Sequence, residues 1–81
     1  MNISGILVVT APDNMDATVA RLQQMEGIDV HHTDAPTGRI IITQEAKTIH
    51  DEVDGLKQIR TLPGIILAEM SYHHFEEDHS N

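Results

Sequence analysis

Apolar residues along this chain switch between two spacings, one typical of strands and one typical of helices. Residues 6–9 form a dense apolar run, which predicts a strand over 3–10 with apolar side chains on both faces. Shorter runs predict further strands over 28–33, 39–45 and 65–72. Between these strands, apolar residues recur every three or four positions, which predicts two helices.

Both predicted helices have recognisable ends. The first has a candidate N-cap at Asp13 or Asn14 and stops at Gly27, and its apolar face comprises Met15, Val19, Leu22 and Met25. The second opens with Thr48-Ile49-His50-Asp51, which resembles a capping box with Asp in place of the usual Glu, and ends at Pro63-Gly64. Its buried face is expected to comprise Ile49, Val53, Leu56 and Ile59.

The connection between the second and third strands has its own turn chemistry. Asp34 can accept hydrogen bonds from within the turn, Pro36 restricts φ, and Gly38 can adopt a positive φ. This stretch therefore predicts a β-hairpin in the middle of the chain.

The predicted element order, β-α-β-β-α-β, indicates an α+β, ferredoxin-like sandwich. Its four-stranded antiparallel sheet would carry both helices on one face. Right-handed crossovers would place the first and third strands in the centre and the second and fourth at the edges. We expect a single domain over 1–75, followed by an acidic, disordered tail over 76–81.

The other face of the sheet is expected to be free of helices, and alternation along each strand predicts which residues lie on it. Leu7, Val9, Ile42, Ile66 and Tyr72 are expected to point toward the helices instead. Apolar residues among acids on an open face indicate a binding surface or a homodimer interface. An error of one residue in the alternation would exchange the two faces of a strand. The candidate binding residues on the open face are Ile6, Val8, Asp29, Ile41, Thr43, Glu45, Leu67, Glu69 and Ser71, with His31, Arg39 and His73 beside them.

Charge is the most unusual property of the composition. Five Lys and Arg oppose thirteen Asp and Glu, which gives a net charge of −8 at pH 7. Such a surface repels nucleic acid and anionic lipid and attracts cationic partners. The chain has no cysteine, no apolar run long enough to span a membrane, and no signal-peptide pattern at its start. We therefore expect a soluble, cytoplasmic protein that binds no nucleic acid and does not insert into membranes.

The residues that could carry chemistry do not form a catalytic or metal-binding motif. Six histidines are present, but the neighbours His31-His32 and His73-His74 would point to opposite faces of a regular strand. No nucleophile elbow, phosphate-binding loop or dinucleotide fingerprint occurs. We expect no enzyme activity, no cofactor and no metal. A binding module is the favoured interpretation, and a homodimeric, small-ligand-sensing regulatory domain of the same fold is the alternative.

The order of several motifs resembles the NapD family from about residue 6 to residue 77. These motifs are the apolar run at 6–9, the Asp-Ala-Pro-Thr-Gly turn within 33–38, Pro63-Gly64-Ile65, and the closing Tyr72-His73. The resemblance implies a ferredoxin-like cytoplasmic chaperone of the periplasmic nitrate reductase, without catalytic residues or a cofactor of its own.

The resemblance also implies a partner. Such chaperones bind the twin-arginine signal peptide of the reductase catalytic subunit and hold back its export until cofactor insertion is complete. An apolar face ringed by acids suits a peptide with a cationic segment followed by an apolar one. We expect a monomer that binds this peptide as a helix on the open face, with β-addition at an edge strand as the alternative pose.

Overall fold

The computed structural model describes residues 1–75, which form four strands and two α-helices. The strands are β1 (Asn2–Thr10), β2 (Ile28–Asp34), β3 (Arg39–Ala46) and β4 (Ile65–Phe75). The helices are α1 (Met15–Gln23), preceded by a 3₁₀ turn at Pro12–Asn14, and α2 (Ile49–Arg60). The acidic tail expected over 76–81 lies outside the described residues, so that expectation stays a prediction.

The sheet confirms the predicted fold class. Its strand order is β2-β3-β1-β4, and β1 pairs antiparallel with both β3 and β4, while β2 pairs antiparallel with β3. Both helices pack on one face of this sheet, as expected for a ferredoxin-like sandwich. Within residues 1–75, neither helix is long and apolar enough to cross a membrane.

The hairpin between β2 and β3 forms as its turn chemistry predicts. Gly38 adopts φ +72°, and its N–H donates to the carbonyl of Asp34 at 2.9 Å. The Thr37 hydroxyl donates to Asp34 Oδ2 at 2.7 Å. Gly38 also accepts a hydrogen bond from the Thr10 N–H at 2.8 Å, which ties the turn to the end of β1.

The helix caps follow the sequence only in part. Thr48 Oγ1 accepts the Asp51 N–H at 3.0 Å, so the predicted cap of α2 is confirmed. At α1 the N-cap position is Asn14, but its side chain makes no capping hydrogen bond, and a 3₁₀ turn leads into the helix instead. The side-chain cap expected from Asp13 or Asn14 is therefore wrong.

The face of α2 that packs on the sheet differs from the expected one. Ile49 and Val53 are exposed, so the expectation that they are buried is wrong. Glu52 and Ile59 are buried instead, with Leu56 half-buried between them. The helix is therefore rotated from the position that its aliphatic residues alone would select, and the polar contacts of Glu52 account for the difference.

The core lies between the sheet and the helices and includes residues from all six elements. Ile40 and Ile42 of β3 are fully buried, as predicted, and they contact a cluster that α1 and α2 complete. The buried apolar members are Ile6, Val8, Met15, Leu22, Ile28, Ile40, Ile42, Ile59 and Ala68.

The orientation of β1 is the reverse of the one expected. Ile6 and Val8 are 0 % exposed and lie opposite Ile42 and Ile40 on the helix side, so their expected place on the open face is wrong. Leu7 lies opposite Ile41 and therefore faces away from the helices. Because residues 6–9 are all apolar, alternation along this run is compatible with either orientation.

Two irregularities in β4 also change the expected alternation. The register with β1 shifts between Val9 and Thr10 and again between Gly5 and Ile6, which leaves Ile66 and Ser71 as the extra residues. Ile66 is exposed rather than directed at the helices. Beyond the second shift, Tyr72 lies on the open face and His73 on the helix side, the opposite of the prediction.

Candidate functional site

The sheet face turned away from both helices, hereafter the open face, is organised in rows of residues that lie side by side on neighbouring strands. In the central row, Leu7 of β1 lies between Ile41 of β3 and Glu69 of β4. In the row toward the hairpin, Val9 lies between Arg39 and Leu67. These two rows combine aliphatic side chains in the middle with charged side chains at the margins.

The aliphatic members of these rows form the apolar patch, defined as Leu7, Val9, Ile41 and Leu67. Ile41 is 39 % exposed and Leu67 is 36 % exposed, while Leu7 and Val9, both on the central strand β1, are half-buried. The helices are on the opposite side of the sheet, so within residues 1–75 no further layer covers this patch. Contiguous aliphatic residues left in water are typical of a binding surface.

Acidic residues lie on both sides of the apolar patch, and Arg39 borders it in the row toward the hairpin. Asp29, on edge strand β2, lies opposite Thr43 of β3. Glu45 lies further along β3, and Glu69 lies on edge strand β4. All three are exposed, and in the described part of the chain neither Asp29 nor Glu69 forms an ion pair with a lysine or arginine. Their charges are therefore available to a cationic partner.

The row beyond the central one contains a glycine covered by an aromatic ring. Gly5 lies between Thr43 of β3 and Tyr72 of β4. A Cβ added at Gly5 would point to the open face and overlap Cδ1 and Cε1 of Tyr72, so the ring lies directly against this glycine. The hydroxyl of the bulge residue Ser71 donates to the Gly5 carbonyl at 3.0 Å, which holds β4 in this irregular register.

A third irregularity occurs in β2 and affects the paired histidines. The register with β3 shifts between Val30 and His32, so His32 lies opposite Ile41 on the open face. His31 Nε2 lies 2.7 Å from Thr43 Oγ1, which is also on that face. The expectation that these two histidines point to opposite faces is therefore wrong. Among the side chains that the structure describes, which end at residue 73, no three His, Asp or Glu are placed to share a metal ion.

The nine predicted binding residues divide into three groups. Ile6 and Val8 are buried against the helices and cannot contact a partner. Ser71 sits at the bulge, where its hydroxyl bonds to backbone. The open face brings together the remaining six, which are Asp29, Ile41, Thr43, Glu45, Leu67 and Glu69.

Leu7, Val9 and Tyr72 also lie on the open face, and the sequence reasoning placed all three on the other side. One signal could have indicated Tyr72: a glycine inside a strand, such as Gly5, often marks a bulge or a close approach by another group. For Leu7 and Val9 the run at 6–9 carries no such signal.

The helix side of β1 contains a buried acid that the sequence did not indicate. Glu52 of α2 is 3 % exposed and accepts a hydrogen bond from the Ser4 hydroxyl through Oε2. Its Oε1 lies 3.4 Å from His73 Nε2, which is also 3.2 Å from Asn2 Oδ1. These partners satisfy a carboxylate that would otherwise be costly to bury, and they join α2 to both β1 and β4.

Comparison with known proteins identifies the family. The model of the family described as "NapD protein" matches residues 1–77, nearly the whole chain. The chain belongs to the NapD family. This confirms the resemblance expected from the motifs at 6–9, 33–38 and 63–73.

Individual NapD proteins are distant from this chain in sequence but similar in length. The proteins named Chaperone NapD from Escherichia coli K12 and from Shigella flexneri are each 23% identical over 75 residues, which is 93% of this chain and 86% of theirs. The solution structure of the E. coli Tat proofreading chaperone protein NapD matches with a TM-score of 0.83 at 22% identity, covering 96% of this chain and 82% of that one. The fold is therefore shared over most of both chains, although most side chains differ.

Proposed function

We propose that this NapD-family protein is a non-enzymatic cytoplasmic chaperone that binds the twin-arginine signal peptide of the periplasmic nitrate reductase catalytic subunit. The peptide docks on the open face, and export of the subunit is held back until its cofactors are inserted. The observation that carries the proposal is the uncovered apolar patch with exposed acids on both sides, on a chain of the NapD family.

The chemistry of the open face complements both parts of such a peptide. Its arginines are attracted by Asp29, Glu45 and Glu69, and by the net charge of −8. Its apolar segment covers the apolar patch, and each Å² of apolar area removed from water contributes roughly 25 cal/mol. The cost of ordering a flexible peptide opposes this gain, so the contact area alone does not set the affinity.

The edge strands favour a helix on the sheet over strand addition at β4. Arg60 Nε donates to the Ala68 carbonyl of β4 at 2.9 Å, so this backbone acceptor of an edge strand is already occupied. A peptide strand added there would have to displace the arginine. A helical peptide on the open face needs no backbone group from the sheet.

The test is calorimetric titration of a synthetic twin-arginine signal peptide into the wild-type protein and two matched variants. Ile41→Glu places a charge in the apolar patch, whereas Ile49→Glu makes the same change at an exposed position of α2. Because both positions are exposed, both variants should keep near-native circular dichroism spectra. Ile41→Glu should lose detectable binding, since a bound peptide would bury an unpaired charge, while Ile49→Glu should bind like the wild type.

Two results would contradict the proposal. A wild-type protein that does not bind the signal peptide would exclude the function, and full affinity in folded Ile41→Glu would exclude the open face as the site. Sedimentation in the same buffers distinguishes the homodimeric ligand-sensing domain, which would exist as a dimer in the absence of peptide.

A further inference from the structure

The position of Tyr72 on the open face has a chemical consequence for the proposed peptide site. Cδ1 and Cε1 of its ring lie so close to Gly5 that a methyl group there would overlap them, so this edge of the ring packs against the backbone. Even so, 52 % of the residue is exposed. An aromatic ring that is supported by the sheet and open to water offers a π surface to a cation.

An exposed acid lies in the row adjacent to this ring. Glu69 is opposite Leu7 in the row adjacent to the Gly5–Tyr72 row. Rows on one face of a strand are roughly 7 Å apart, since each residue advances about 3.3 Å and alternate residues share a face. Among residues 1–75, no lysine or arginine pairs with Glu69. A side chain that crosses the ring can therefore reach this carboxylate.

We propose that Tyr72 and Glu69 form a guanidinium site that receives one arginine of the signal peptide. The arginine plane stacks on the exposed part of the Tyr72 ring, and its N–H groups donate to the Glu69 carboxylate. This inference rests on the proposed function, and it adds the residues that distinguish arginine from lysine.

The preference for arginine follows from the shape of the two cations. A guanidinium is planar, so it can stack on a ring while it donates several hydrogen bonds in its own plane. A lysine ammonium is a compact, strongly hydrated charge, which gains less from the ring and cannot donate in that geometry. The site should therefore discriminate between the two residues, although both carry the same charge.

The experiment uses a signal peptide without tyrosine or tryptophan, together with versions in which each arginine in turn is lysine. The chain has one tyrosine and no tryptophan, so its ultraviolet emission reports on Tyr72 alone. Titration of the wild type with the arginine peptide should change this emission with the same midpoint as calorimetry measures. At least one of the lysine peptides should bind about 5- to 30-fold more weakly and change the emission less.

Variants of Tyr72 and Glu69, titrated with the same peptides, test each residue of the proposed site. Tyr72→Leu should lower the affinity for the arginine peptide by a similar factor but scarcely change the affinity for that lysine peptide. Tyr72→Phe retains a ring over Gly5, so it should bind the arginine peptide nearly as tightly as the wild type does. Glu69→Gln should weaken arginine binding more than Glu45→Gln, which removes the same charge elsewhere on the open face. Thermal melts verify that each variant is folded.

The outcomes separate this inference from the function on which it rests. Binding of the wild type with no change in tyrosine emission, or with equal affinity for the arginine and both lysine peptides, would overturn the guanidinium site but leave the chaperone function in place. These two measurements use the unmodified protein, so they decide the matter even if Tyr72→Leu does not fold. Absence of any wild-type binding would overturn both.

Discussion

Threonine substitutions at Ile6 and Leu7 test which side of β1 faces the helices. Both changes put threonine, a β-branched residue that strands favour, into the same strand, so neither variant loses intrinsic strand preference. Ile6 is fully buried in the core, whereas Leu7 is half-buried on the open face. The two variants should therefore differ in stability by an amount that can be derived from these surroundings.

The cost at Ile6 has two parts. Loss of the terminal methyl group leaves a small cavity, which costs about 0.5–1.5 kcal/mol, as in Ile→Val substitutions. The new hydroxyl is buried among aliphatic side chains, which costs about 1–3 kcal/mol if it finds no partner. We expect Ile6→Thr to lower the free energy of unfolding by about 2–4 kcal/mol. At Leu7 the hydroxyl meets water, and the lost apolar burial should cost about 1 kcal/mol.

The assay is equilibrium unfolding in guanidinium chloride, with thermal melts as a second measurement. For a domain of this size, 1 kcal/mol corresponds to a shift of about 4–8 °C in Tm, so the two variants should be easily separated. Leu7→Thr should also lower the affinity for the signal peptide, because Leu7 lies in the apolar patch. If Leu7→Thr is as destabilising as Ile6→Thr, the orientation of β1 described above is refuted.

Two further predictions concern charge and capping. The association rate of the signal peptide, measured by stopped flow, should fall as the salt concentration rises above about 0.1 M, where the Debye length is about 10 Å. At low salt, Asp29→Asn should slow association, whereas a rate independent of salt would exclude steering by the acids. Thr48→Ala should lower the free energy of unfolding by about 1 kcal/mol in guanidinium titrations, because the Asp51 N–H loses its acceptor. An unchanged midpoint of the unfolding transition would show that this cap does not stabilise α2.

Local chemistry was sufficient to predict the fold class and the hairpin. The turn at 34–38 is specified by residues within it, since Gly38 takes the positive φ and Asp34 accepts the hydrogen bonds that close the turn. Strand order followed from the sequence of elements and the handedness of their crossovers. The orientation of β3 was also predictable, because Ile40 and Ile42 alternate with Arg39 and Thr43.

The composition of the open face could be predicted only where the pattern along a strand is unambiguous. Ile41 was placed correctly because it shares its parity with the polar residues Arg39 and Thr43, and Glu69 because it alternates with Ala68 and Met70. The run at 6–9 is apolar throughout, and the residues that could have indicated its orientation are misleading. Ser4 and Thr10 are polar, yet both are buried on the helix side, where Glu52 accepts from Ser4 and the Gly64 carbonyl accepts from Thr10 at 2.8 Å.

The sequence by itself thus determined the elements, their order and the presence of exposed acids and apolar residues on the open face. Tertiary structure alone decided that Leu7 rather than Ile6 joins this surface, that a bulge at Ser71 turns Tyr72 onto it, and that Glu52 rather than Val53 faces the sheet. Two physical reasons apply. A buried polar group is directed by a partner distant in the chain, as Glu52 is by Ser4 and His73, and a bulge reverses alternation without changing the residues that alternate.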